Sequence, residues 1–359
     1  MREVLKVGVI GLGFFGARHA RVYIEHSATE LIGVCDKDIN QTAAVKSMRS
    51  GRFFESYHDL LALPGLDAVS ICLPDRLHED VAVAAAKAGK FILLEKPLAH
   101  TTAAAYRIIK AVEDHGARLM VGHILRFDPR YVKVFQASAP EILGEPIHLH
   151  AKRNATRSTA ARLGDATSIL YYMGVHDIDA MQWIARSKIC RAYAQKRKVL
   201  ATGNEDALFA IVNFENGAIG SLDYSWAWPD GLMNGYRASL EIVGTRAAAY
   251  LDCSDQGFFA IDENCTSGGD THLWPEINGR IVGDLADEID HFIKASISGA
   301  AYIQNCYEAF DAIPVLEALD QSANVGRPVD VNRNSAMNSE KSGSRNPNRL
   351  AAKNSGDLN

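Results

Sequence analysis

The hexapeptide Gly11-Leu12-Gly13-Phe14-Phe15-Gly16 sits between an apolar run, Leu5–Ile10, and an amphipathic stretch, Phe14–Glu25. A strand that meets G-x-G-x-x-G and turns straight into a helix has few ways to fold. The first glycine permits the tight turn, the second lets a pyrophosphate approach the backbone, and the third lets helix pack on strand. The helix N-terminus then offers free N–H groups and the positive end of its dipole to phosphate. Asp36 closes the next apolar run, 20 residues beyond Gly16, where a carboxylate can grip ribose hydroxyls. The pattern predicts dinucleotide binding, with Gly11, Gly13, Phe14, Phe15, Gly16 and Asp36 at the cofactor. Asp36 favours NAD, because a carboxylate there repels a 2′-phosphate. Lys37 follows directly and keeps NADP open; its other reading is a solvated loop lysine.

Further apolar runs at Leu31–Cys35, Ala68–Leu73, Phe91–Leu94 and Leu119–Val121 alternate with helical patterns at Leu77–Ala88 and Thr102–His115. Continuous rather than alternating apolar character means strands covered on both faces, hence a parallel, doubly wound sheet. After Gly122 the texture changes. Asp128-Pro129 predicts a helix start. Strands are expected at Ile147–Lys152, Ala207–Phe214, Ala218–Trp226, Ala238–Val243 and Ala247–Leu251, with Asn216-Gly217 as a hairpin turn. Helices are expected near Tyr172–Ala185, Asp284–Ser298 and Tyr307–Ser322. The expected fold is an α/β Rossmann domain plus an α+β domain with a large open, mainly antiparallel sheet. The division is 1–123 for the first domain and 124–331 for the second. Residues 332–359, rich in Asn, Ser, Lys and Arg, read as a disordered tail or a processed segment.

Bulk properties narrow the function. A formal net charge of −5 gives no basis for bulk nucleic-acid or anionic-membrane binding. The six cysteines are spread singly, without a Cys-x-x-Cys pair, and no histidine cluster has zinc spacing, so no metal is expected. Unpaired cysteines inside apolar strands fit a reducing compartment. No signal-peptide core is present, and no apolar run approaches the roughly 20 residues of a spanning helix. The expectation is a soluble cytoplasmic protein.

Several motifs then fall in order: Leu73-Pro74-Asp75-Arg76-Leu77-His78, Glu95-Lys96-Pro97, Gly122-His123, Arg126-Phe127 and Gly174-Val175-His176-Asp177-Ile178-Asp179. With the N-terminal fingerprint, this series resembles the glucose–fructose oxidoreductase / inositol dehydrogenase / rhizopine catabolism (Gfo/Idh/MocA) family, over roughly residues 5–330. The resemblance implies NAD(P)-dependent hydride transfer at a sugar or cyclic polyol hydroxyl. It also implies self-association, as a homodimer or homotetramer, through the open face of the second sheet.

The resemblance gives Lys96 and His176 the proton chemistry, and elementary chemistry agrees. Lys96 lies at the C-terminal end of a sheet strand, where open α/β sheets bind ligands. An imidazole suits the loss of the alcohol proton. Glu95 would orient Lys96 or contact the cofactor, and a cis Lys96–Pro97 bond is expected. Leu73 and Pro74 would line the cofactor; His78 would lie near the nicotinamide or be an ordinary helix-start histidine. Arg126, Arg153, Tyr172, His176 and Tyr236 are the expected substrate contacts, while Asp179 has a structural role.

One position departs from the pattern. Members with the inositol dehydrogenase arrangement carry aspartate four residues before the histidine, and here that residue is Tyr172. Either Lys96 activates the Tyr172 phenol, or Tyr172 packs against substrate or nicotinamide while Lys96 and His176 handle the proton. Lys152, Arg153, Arg157 and Arg162 read as a basic loop that would suit an anionic or nucleotide-linked sugar, or simply face water. The segments His19–Tyr23 and Gly122–Phe127 look like members acting on UDP-N-acetylglucosamine, a likeness confined mostly to the cofactor domain. Two other readings stay open: an enzyme that retains NAD for internal redox, and a non-catalytic dinucleotide-binding regulator of the same fold.

Overall fold

In the computed structural model the described residues are 4–41, 52–200 and 205–333, apart from 255, 262, 264 and 265. Strands β1 (Leu5–Ile10), β2 (Thr29–Cys35), β3 (Arg52–Phe54), β4 (Ala68–Ile71), β5 (Phe91–Glu95) and β6 (Arg118–Gly122) form a parallel sheet in the order β3-β2-β1-β4-β5-β6. All four residues of β4 are buried, and in β5 only Phe91 is not. That is why these strands read as unbroken apolar runs: helices cover both faces. The order reverses between β1 and β4, which opens a crevice at their C-terminal ends. Gly11, Leu73, Lys96 and His123 all follow strand ends on that edge.

The second sheet contains β7 (Pro146–Thr156), β8 (Ile189–Arg197), β9 (Ala207–Phe214), β10 (Ile219–Trp228), β11 (Tyr236–Gly244) and β12 (Ala248–Asp252). Its order is β12-β11-β7-β10-β9-β8, closed by the short strand Val329–Asp330. All pairings are antiparallel except β7 with β10. Alternation is strict in β9, where Leu208, Ala210, Val212 and Phe214 are buried and Phe209, Ile211 and Asn213 are exposed. The buried face packs against helices that include Val175–Ala185 and Ala312–Val325. The hairpin between β9 and β10 uses Gly217 at φ +88°, as Asn-Gly predicts.

Several expectations need correction. The basic residues do not form a loop: Lys152 and Arg153 lie within β7, which runs on to Thr156, and Arg157 and Arg162 lie on the helix Arg157–Leu163. The helix expected from Tyr172 opens instead as a π-helical segment, Leu170–Gly174, before Val175–Ala185. The helix expected at 307–322 is two, Cys306–Phe310 and Ala312–Val325. Strand β8 carries Arg191, Gln195, Lys196 and Arg197 on an apolar frame too sparse to read as strand. Asn332 and Arg333, assigned to the tail, belong to the folded body: Arg333 donates to Asp311, Gln182 and the Ile189 carbonyl. The rest of the tail, 334–359, lies outside the described residues.

Candidate active site

The glycine turn is shaped by contacts only glycine allows. A Cβ on Gly11, at φ +87°, would lie 2.5 Å from the Cys72 carbonyl oxygen, and one on Gly16 would lie 1.7 Å from that of Gly11. At Gly13 a Cβ would meet nothing within 4 Å. This open space at the head of the helix Phe14–Glu25, whose Gly13 cap has no capping side chain, suits a pyrophosphate. Asp36 Oδ2 accepts from the Leu12 N–H at 2.7 Å, so the carboxylate is fixed beside the turn. Its geometry fits a dinucleotide. Lys37 is exposed, and so is Phe14. Phe14 and Phe15 meet Trp274 edge-on at 5.8 and 5.2 Å.

Lys96 follows the end of β5, and the Lys96–Pro97 bond is cis. Its Nζ donates to the main-chain carbonyl of Tyr172 at 3.0 Å and lies 5.1 Å from the Tyr172 ring centroid. Burial brings its pKa down to about 8, against the pull of the Glu95 carboxylate. Glu95 accepts the Lys96 N–H through Oε2 and contacts His19 Nε2 through Oε1 at 3.1 Å. It braces Lys96 from below. His78 is fully buried, with its ring nitrogens 2.8 Å from the Pro97 and Leu73 carbonyls. It ties two strand-end loops together, and neither nitrogen is left for a ligand.

Across the crevice, the π-helical turn widens the backbone just before His176. Tyr172 and His176 are both part-exposed there. His176 Nδ1 is buried without a partner. Burial, with the charges of Lys96 and Arg153, holds the imidazole well below its usual pKa, so it is neutral at pH 7. The two expected arginine contacts are already engaged. Arg153 forms a two-bond pair with Asp177, at 2.9 and 2.8 Å, and donates to the Tyr131 hydroxyl. Arg126 forms a similar pair with Asp179, at 3.0 and 2.9 Å, and lies over Trp183. Asp179 is therefore a bracing residue, as expected from its position. The Tyr236 hydroxyl accepts from Gln256 at 2.6 Å.

Sequence reading missed three contributors. His123 follows β6 beside Lys96, buried, with Nδ1 3.5 Å from Asp179 Oδ2. Trp274 comes from a distant loop whose backbone is pinned by Asp270. Glu288 is fully buried with neither oxygen partnered. Its oxygens, His19 and Glu95 come within 4.8 Å of one another, a set that could hold a cation. Burial and the Glu95 charge raise the Glu288 pKa well above the carboxylate range, and a protonated Glu288 leaves the trio without need of one. Only the Gly122-His123 pair carried any sequence signal for these.

A Rossmann sheet with a built dinucleotide turn, joined to an open sheet whose helix faces a strand-end lysine, defines a two-part protein of the NAD-binding Rossmann class. Residues 5–123 match the oxidoreductase family with NAD-binding Rossmann fold, and residues 131–250 match the GFO/IDH/MocA C-terminal domain. The chain belongs to the Gfo/Idh/MocA family. It is 32% identical over 337 residues to inositol 2-dehydrogenase 1 of Saccharopolyspora erythraea, covering 91% of this chain and 96% of that protein. It is 31% identical to the inositol 2-dehydrogenase of Salmonella typhimurium over 219 residues, which cover 59% of this chain and 65% of that one. In fold it is similar to GenD2 from gentamicin A biosynthesis, solved with NAD, at a TM-score of 0.79 and 25% identity over 92% of this chain and 97% of that one.

Proposed function

We propose that this protein is an NAD-dependent dehydrogenase that oxidises a hydroxyl of a cyclic polyol or sugar. The observation that carries the reading is Lys96, at the switch-point edge, bonded to the turn that presents His176. Lys96 donates to the substrate oxygen and steadies negative charge as the O–H bond breaks. His176, neutral at pH 7, takes the proton through the nitrogen that faces the crevice. NAD, when bound, would supply the acceptor for the hydride that leaves the carbinol carbon. Leu73, Pro74 and the glycine turn would hold the dinucleotide, and the Asp36 carboxylate would favour NAD over NADP. The relatives named as inositol 2-dehydrogenases support a polyol. A neutral substrate fits better than an anionic one, since Arg126 and Arg153 are already paired with Asp179 and Asp177. Tyr236 and Tyr172 complete the walls.

One observation favours the second reading, retained NAD. The loop bearing Trp274 is clamped to the cofactor helix: Arg21 donates to Glu276 at 2.8 Å and to the Gly279 carbonyl, and Glu25 accepts from the Ile281 N–H. A cofactor under that loop would exchange slowly. The regulator reading has no use for Lys96 and His176 as proton handlers.

We further propose self-association through the outer face of the second sheet, where Phe209, Ile211, Ile219 and Tyr250 are more than half exposed. The domain division at His123 follows the change of sheet. Free thiols at Cys35, Cys72, Cys190, Cys253 and Cys306 support a cytoplasmic location. Among the described residues no helix is long and apolar enough to cross a membrane.

The test is NADH formation across a panel of inositols, neutral sugars and UDP-sugars, with Lys96→Ala and His176→Ala as controls. Turnover lost in both variants supports the dehydrogenase. Tight NAD binding with product but no free NADH supports internal redox, and binding without turnover supports a regulator.

A further inference from the structure

The residues that follow Lys96 lie against both domains and are anchored at each end. The Pro97 carbonyl accepts from His78 Nδ1 at 2.8 Å, and Leu98 and Ala99 are fully buried. At the far end Thr102 opens the helix Thr102–Asp114, and its N–H and hydroxyl donate to the two Glu317 oxygens at 2.8 and 2.6 Å. Glu317 belongs to the helix Ala312–Val325 of the second domain. Between these anchors stands His100, half-buried, with a partner on each side. Its Nδ1–H donates at 2.9 Å to Asp75 Oδ2, in the short turn Asp75–Leu77 that follows Leu73 and Pro74. Its ring is stacked on Tyr171, with centroids 4.6 Å apart and planes inclined by 27°. Tyr171 lies in the π-helical segment Leu170–Gly174, next to the residue whose carbonyl takes the Lys96 ammonium. The stack is therefore one peptide unit from the bond that Lys96 makes. From its own chain the turn is tied back to Ser168, whose carbonyl accepts from the Tyr172 N–H at 2.9 Å.

We propose that His100 is a positioning residue: held by Asp75 on the dinucleotide side, it packs on Tyr171 and sets where the π-turn carries the Tyr172 carbonyl over Lys96. This deepens the dehydrogenase reading and rests on Lys96 as the group that meets the substrate oxygen. Histidine suits the task because it offers a flat face to the phenol ring and an edge N–H to the carboxylate. Phenylalanine would keep only the face, and alanine neither. A π-turn is rare inside helices, and this one receives its aromatic cover from the other domain. The same turn leads directly into His176. A displacement of it moves the partner of Lys96 and the expected base together, and misplacement by about 1 Å slows chemistry by up to about a hundredfold.

The test reads Lys96 directly. The groups facing it are Glu95 beside it, Asp75 from the neighbouring strand end, Arg153 from β7, and the His123 and His176 rings. Burial, to which the π-turn contributes, brings its pKa to about 8. Carbon NMR of lysine-labelled, cofactor-free protein follows that titration without any turnover. In His100→Ala the turn loosens, water reaches Lys96, and the titration is expected to move up by about one unit or more. With the polyol substrate kcat should fall about tenfold, while the Kd for NAD holds. His100→Phe keeps a ring on Tyr171 and should restore both the titration and kcat. Tyr171→Leu removes the stack from the other side, should repeat the upward shift, and carries the test if His100→Ala does not fold. An unchanged Lys96 titration in the folded variants would overturn the proposal, and so would a His100→Phe protein that behaves like His100→Ala. If the unmodified protein oxidises no polyol, the dehydrogenase reading fails, and the lysine titration still decides whether His100 places the turn.

Discussion

Lys96 and Tyr172 are joined through the backbone: the ammonium donates 3.0 Å to the Tyr172 carbonyl, and the ring face lies 5.1 Å away. The phenol oxygen is not the partner. A π-helical turn makes this possible, since widening the helix turns a carbonyl toward the crevice. Tyr172→Phe should therefore keep kcat within about threefold, whereas Lys96→Met should lose about a hundredfold or more, as for removal of an oxyanion-stabilising donor. Steady-state kinetics on the best polyol substrate checks both. A large loss in Tyr172→Phe would restore the phenol as a proton carrier.

Lys96 also leaves a signature in stability. Its pKa falls from an ordinary 10.5 to about 8 in the fold. The unfolded chain thus holds more protons between those values, and stability from this group rises with pH across that window. Below pH 8 the buried charge costs about 3 kcal/mol by this measure. Lys96→Met should accordingly be more stable than the unmodified protein at pH 7, with the gain shrinking toward pH 10.5. Urea titrations of cofactor-free protein at several pH values would reveal it.

The glycine turn separates folding from binding. Gly16→Ala drives a methyl into the Gly11 carbonyl and should lower the melting temperature by several degrees. Gly13→Ala meets no protein atom, and the Gly13 backbone, at φ −63°, accepts alanine. It should melt like the unmodified protein but bind NAD about tenfold more weakly, because the methyl occupies the phosphate's approach. Calorimetry and cofactor titration on the same samples decide this.

Glu288 offers a contrast among carboxyl groups. Its raised pKa means folding must protonate it, so it weakens the fold increasingly as pH rises above the unfolded value. Glu288→Gln keeps the shape and removes that burden. It should be at least as stable as the unmodified protein at pH 8 and lose the advantage near pH 4. An unmodified protein that instead retains a divalent cation through dialysis would mean that charge at Glu288 is balanced by metal.

The sheet face gives an assembly test. Phe209→Glu with Ile211→Glu should leave secondary structure intact, since both side chains point away from the core. The mass in light scattering should drop to that of a smaller species. An unchanged mass would exclude this face.

What the sequence determined by itself was local or periodic. The strand–turn–helix around Gly11–Gly16 is written in neighbouring residues, and helices Phe14–Glu25 and Asp284–Ser298 have the predicted ends. The apolar runs at Leu5–Ile10 and Phe91–Leu94 announce burial on both faces, and Lys96 and His176 are legible through the motifs around them. Tertiary structure alone decided what these groups touch. Arg153 reads as a free basic residue until Asp177 meets it, and His78 reads as a cofactor contact until two loop carbonyls take its ring. The basic cluster dissolved because β7 and the next helix send its members in different directions. His123 and Trp274 gain meaning only from partners many residues distant. Side-chain pairing across separate elements leaves no periodic mark in the chain, so no pattern along the sequence could reveal it.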